Sequence, residues 1–153
     1  MTIICLTGCS FLASSAIADK LPASAKPFTS DEVKKLYLGN STFFGNKAAF
    51  YFAQDSSVIG YYDKGYSEGA WTVDANQSCM MTKGTDLKTK ISDGKTYKDC
   101  WQWFRDAKGK VWTLWSVRYT GKKPPKNDYY TNEINNFKSG DKISAKFHAL
   151  KGS

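Results

Sequence analysis

Gly65-Tyr66-Ser67-Glu68-Gly69 sets a serine in the Gly-x-Ser-x-Gly spacing that, at a sharp turn from strand to helix, exposes a nucleophilic hydroxyl in hydrolases. Acyl transfer would also need a histidine to accept the hydroxyl proton, and the chain has a single one, His148. The residues after the motif do not supply the helix, because Ala70-Trp71-Thr72-Val73 continue with the bulk and β-branching of a strand. The glycines read instead as a hairpin or bulge feeding the Trp71 strand. Glu68 beside Asp63 or Asp99 would make a glycosidase pair, but nothing in the spacing fixes the separation that chemistry requires. Neither arrangement commits the chain to catalysis.

Cys79 and Cys100 lie on adjacent expected strands and are read as a structural disulfide; no Cys-x-x-Cys spacing suggests redox work. One histidine and two strand cysteines do not make a zinc set, so no metal and no cofactor is implied. Tyr97, Trp101 and Trp103 share one face of a strand. With Trp112 and Trp115 on the next strand, they are the candidate ligand contacts, since aromatics interleaved with cations stack sugars and pack against lipids.

The net charge of +8 is unevenly placed. Between Lys83 and Lys126 twelve basic residues face four acids, so this half carries the whole excess. Lys88, Lys90, Lys122 and Lys123 are the candidate basic patch, and such a face favours an anionic lipid, an acidic glycan or an acidic protein.

Residues 1–18 contain no charge and end Ala16-Ile17-Ala18, the pattern of an export signal cut before Asp19. Leu6-Thr7-Gly8-Cys9 offers the alternative of a lipid anchor on Cys9. Either route delivers the chain to a periplasmic or secreted setting, where nucleic acid is not an expected partner and Cys79 and Cys100 are free to pair. No later segment is long and apolar enough to span a membrane.

Residues 19–28 read as a leader, and 29–153 as a single β-rich domain. Thr29-Ser30-Asp31-Glu32 is a capping box, with Val33, Leu36 and Tyr37 at helical spacing and Gly39-Asn40 as the stop. The period then changes to two. Expected strands are Lys47 to Ala53, Val58 to Asp63, Gly69 to Asp74, Ser78 to Thr82, Thr96 to Phe104, Lys110 to Tyr119 and Lys142 to Leu150. Asn127 to Phe137 is expected as a second short helix. Ile143, Ala145, Phe147 and Ala149 alternate with polar residues and would face the core. The Lys110 to Tyr119 strand is apolar on both faces, and the first helix is expected to cover the outer one. Short turns imply antiparallel neighbours. The predicted architecture is a small up-and-down barrel of lipocalin or streptavidin type, with a β-sandwich as the alternative.

Asp31-Glu32-Val33 with Leu36-Tyr37-x-Gly39, Tyr51-Phe52-Ala53-x-Asp55, Tyr66-x-Glu68-Gly69-x-Trp71 with Cys79, Asp99-Cys100 and Phe137-Lys138-x-Gly140-Asp141 follow one another along most of the chain. In order and spacing they resemble an uncharacterised family of small exported alphaproteobacterial proteins, domain of unknown function 995. The resemblance implies an exported β-rich domain and no activity. The functional expectation is a non-enzymatic binding domain for an apolar or anionic envelope ligand, with an inhibitor or secreted effector that docks an acidic protein as the alternative.

Overall fold

The computed structural model describes residues 20–152. The expected export segment and the Cys9 anchor lie outside the described residues. The chain enters by a two-residue strand, β1 (Lys26–Pro27), and a helix, α1 (Ser30–Tyr37). The capping box forms as read: Glu32 N–H donates to Thr29 Oγ1 at 3.2 Å and Thr29 N–H donates to Glu32 Oε2 at 2.9 Å. Gly39, at φ +72°, ends the helix in the left-handed region.

Seven strands then run as a meander: β2 (Asn40–Phe44), β3 (Ala48–Phe52), β4 (Ser57–Tyr62), β5 (Gly65–Asp74), β6 (Gln77–Asp86), β7 (Tyr97–Arg105) and β8 (Val111–Val117). Each pairs antiparallel with the next. After them come β9 (Tyr129–Tyr130), a 3-10 helix (Glu133–Asn136), β10 (Phe137–Ser139) and a second helix, α2 (Ser144–Gly152). Strand β10 pairs with β2 and β9 with β8, so one ten-stranded antiparallel sheet curls into a barrel-like form. Its two path edges are strands of two and three residues joined by the 3-10 segment. Edges this short, tied by their own connection, offer little template for another chain.

Side-chain parity sets inside from outside. Phe50, Phe52, Val58, Trp71, Met80, Trp101 and Trp103 share one buried cluster with Val33 and Tyr37 of α1. Helix α1 therefore closes one end of the barrel from within. Tyr37 meets Phe52, Trp71, Trp103 and Phe137, and its hydroxyl accepts the Trp103 Nε1–H at 3.2 Å. Burial pushes the Tyr37 phenol well above its ordinary value, so it stays protonated.

Four expectations are corrected. Residues Lys142 to Leu150 are not a strand but the helix α2, because Asp141 Oδ1 caps the N–H groups of Ile143 and Ser144. Ile143, Phe147 and Leu150 repeat at helical spacing and pack on outward-facing Ala49 and Tyr66, while Ala145 and Ala149 are exposed. Asn127 to Phe137 is not one helix but a strand, a single 3-10 turn and the start of another strand. Asn40, expected with Gly39 as the helix stop, opens a strand, Asn40–Phe44, where none was expected; Asn40 Nδ2 still donates to the Lys35 and Leu36 carbonyls, joining cap and strand in one residue. Helix α1 does not lie on the outer face of β8. There the Trp112 indole, 6% exposed, is covered by the Lys110 ammonium at 4.7 Å and donates its N–H to Asp106 Oδ2 at 3.0 Å.

Cys79 and Cys100 are register partners on β6 and β7 and form the expected disulfide, spanning 21 residues. Opening it is expected to cost roughly 3 kcal/mol through the larger entropy of the unfolded chain. Comparison of urea midpoints with and without reductant measures this, and an unchanged midpoint would contradict it.

Candidate functional site

The half of the barrel away from α1 is hollow. A cavity of about 810 Å³ lies between the upper parts of β2 to β8, the β6–β7 loop and the 3-10 segment. Its walls follow from the alternation: Phe44, Ala48 and Phe50 come from β2 and β3, Tyr62 and Ser67 from β4 and β5, Met80 and Thr82 from β6. Tyr97, Asp99 and Trp101 of β7 and Thr113 and Trp115 of β8 complete the ring, with Tyr130 and Glu133 at the seam. Trp101 and Trp115 lie nearly parallel, 6.3 Å apart and 5° between planes, and Phe44 stacks beside Trp101 at 5.9 Å. Small residues make the room. At Gly60 a Cβ would fall 2.3 Å from the Phe50 ring, and at Gly84 2.8 Å from the Tyr62 hydroxyl, so both aromatics lie flat against the wall.

The candidate contacts divide by position. Tyr97, Trp101 and Trp115 line the cavity. Trp103, 1% exposed, is part of the packed base beneath it. Trp112 faces outward and takes no part. The candidate lysines are absent from the lining. Lys88 and Lys90 sit in the loop that also supplies Ile91 and Asp93 to the mouth, and Lys90 Nζ donates to the Leu150 carbonyl at 3.4 Å. Lys122 and Lys123 follow Tyr119, which lines the mouth from the β8–β9 loop. Tyr97, at the start of β7, and Tyr119 meet edge to face at 6.3 Å, so the β8–β9 loop leans over that side of the opening.

Charge inside is the reverse of charge outside. The lining holds Asp86, Asp93, Asp99 and Glu133 and no lysine or arginine. The outer two are bound into loop turns. Asp86 Oδ1 accepts the Lys88 and Thr89 N–H groups, and Asp93 accepts Lys95 N–H and the Tyr97 hydroxyl; these bonds hold both carboxyls below their usual range. The inner two differ. Burial pushes the carboxyls of Asp99, 5% exposed, and of half-buried Glu133 above their usual range. Asp99 Oδ1 accepts Trp115 Nε1–H at 2.9 Å and Tyr119 N–H at 3.0 Å, which pulls in the opposite direction. Residue-type reasoning weighed Asp99 only as a glycosidase carboxylate and missed Glu133. Asp99 shares parity with Trp101 and was legible from alternation; Glu133 arrives on an irregular segment with no such signal.

The two arrangements that open the chemical reading come apart. Ser67 faces the cavity from the first half of β5, which continues as strand with no helix after the motif, while His148 lies exposed on α2. Glu68 points outward to Lys151, 2.7 Å away, whereas Asp99 points inward, so they do not flank one substrate. Among the described residues no three His, Cys, Asp or Glu side chains gather as a metal set, and no helix is long and apolar enough to cross a membrane.

A family model described as Protein of unknown function (DUF995) matches residues 3–143. The chain belongs to this family. In this DUF995 chain the motif residues that carry the resemblance include Trp71 and Phe137 of the packed base and Asp99 of the cavity wall. No curated protein and no solved structure matches it.

Proposed function

We propose that this protein is a non-enzymatic binding domain, exported to the periplasm or beyond, that holds a small apolar molecule inside its barrel. One observation carries the reading: an aromatic-walled cavity of about 810 Å³, closed at the base by Phe28, Tyr37 and Trp103. Ligand pockets usually span about 300–1,000 Å³ and are mostly apolar with a few convergent polar groups. A filled core of large side chains would serve a surface-docking module as well; a hollow one costs packing energy and gains nothing without an occupant.

The lysines belong to a different part of the proposal. Ile91 and Tyr119 are 67% and 55% exposed in the same two loops as Lys88, Lys122 and Lys123. Apolar tips flanked by lysines suit contact with an anionic lipid surface around the mouth. Docking of an acidic protein would use the same lysines and leaves the cavity without a role.

Titration with decanol, read by tryptophan fluorescence, tests the cavity reading. Saturable binding is expected with a dissociation constant on the order of micromolar. Ser67→Phe should abolish it while keeping the far-ultraviolet circular dichroism, because the new ring projects between Gly60 and Gly84 into the empty space. Binding that survives the substitution, or no saturation with the unaltered protein, would contradict the proposal.

A further inference from the structure

We propose that the molecule held in the cavity carries a cationic group, a protonated amine on an apolar body, met by Asp99, Glu133 and Ser67. The inference rests on the cavity being a binding site and adds the charge of its occupant.

The first ground is the inversion of charge. From Lys83 to Lys126 the chain has three bases for every acid, yet three of the four acids line the cavity and none of the twelve bases does. Arg118 stacks on Trp115 at 4.8 Å, but it is paired with Asp128 and is not part of the lining. An anionic ligand would meet four acidic side chains and no lining base there.

The second ground is independent of the acids. Ser67 Oγ is 4% exposed for its residue, lines the cavity, and has no hydrogen-bond partner among the described residues. A buried hydroxyl without a partner is costly to keep, and its oxygen is free to accept an N–H from a ligand. The carboxylates are arranged compatibly. Both bonds to Asp99 fall on Oδ1, and the Asn136 amide bonds Glu133 through Oε2 at 2.9 Å, so Oδ2 and Oε1 take none of these. Trp101 and Trp115 flank Asp99 in the same wall, and an ammonium beside an indole face and a carboxylate gains from both. Burial disfavours the ionised form of both carboxyls, and a bound cation offsets that penalty where an anion would deepen it.

Three ligands with one apolar chain separate charge from burial: decylamine, decanol and decanoate, titrated at neutral pH into the full mature chain. Decylamine is expected to bind at least about tenfold more tightly than decanol, with decanoate weakest. Asp99→Asn with Glu133→Gln should remove the preference and leave decanol binding in place. Equal affinities, or decanoate the tightest, would overturn the cationic assignment while the cavity reading stands; failure of all three would remove both. The comparison on the unaltered protein decides the matter even where the double variant does not fold.

Discussion

Trp103→Ala is expected to lower stability by about 3–5 kcal/mol, the range for truncating a fully buried large aromatic. The indole is 1% exposed and packs against Phe28, Tyr37 and Phe137, with its N–H on the Tyr37 hydroxyl. Its backbone is also tied: the carbonyl accepts Phe28 N–H at 3.0 Å and the Asn76 amide at 3.1 Å. Removing the ring takes out the floor between α1 and the hollow upper half. Trp115→Ala provides the contrast. That ring borders empty space already, so its loss should cost less than half as much, as fewer packing contacts disappear. Urea midpoints of the two variants measure the difference, and equal losses would mean that the upper half is as filled as the base.

The second large effect is expected at a glycine. A Cβ on Gly69 would stand 1.9 Å from the Met81 carbonyl oxygen and 2.8 Å from the Thr82 Cα, both backbone atoms of the paired strand. No rotamer change relieves such a contact, so Gly69→Ala must part β5 from β6 at the centre of the sheet. A loss of at least about 3 kcal/mol is expected, with folding failure as the extreme. Gly39→Ala makes the control, since nothing lies within 4 Å and only the positive φ of +72° resists it. That strain costs roughly 1–2 kcal/mol. Thermal unfolding of both variants tests the ranking, and a Gly69→Ala protein as stable as the parent would refute the close approach of β5 and β6.

Most of the meander is legible in the sequence because half-buried antiparallel strands impose a period of two, and short turns leave neighbours no other partner. Thr29 and Glu32 likewise announce the start of α1, since the capping bonds are local. Lys142 to Leu150 shows where this logic fails. Ile143 and Phe147 satisfy both a two-residue and a four-residue repeat, and the exposure of Ala145 and Ala149, the partial burial of Leu150 and the Asp141 cap separate helix from strand. Strand β2 was hidden because Asn40-Ser41-Thr42 has turn chemistry, and its pairing with β3 and β10 overrides that preference.

The site was legible only by parity. Tyr97, Asp99 and Trp101 fall on one face of β7, and Trp115 faces them from β8 while Trp112 cannot. What parity does not reveal is volume. Whether inward side chains fill a barrel depends on Gly60, Gly84 and Ser67 standing opposite one another across three strands, which is a matter of register. The position of Glu133 depends on the seam between β9 and β10, where the chain follows neither repeat.

The five tryptophans give the central claim its most direct measurement, because each contributes one indole N–H resonance. Titrating decanol into nitrogen-labelled protein should shift the signals of Trp101 and Trp115, which line the cavity, and leave that of outward-facing Trp112 in place. Shifts confined to Trp112, or none at any of the five, would contradict a hollow barrel that binds its ligand inside.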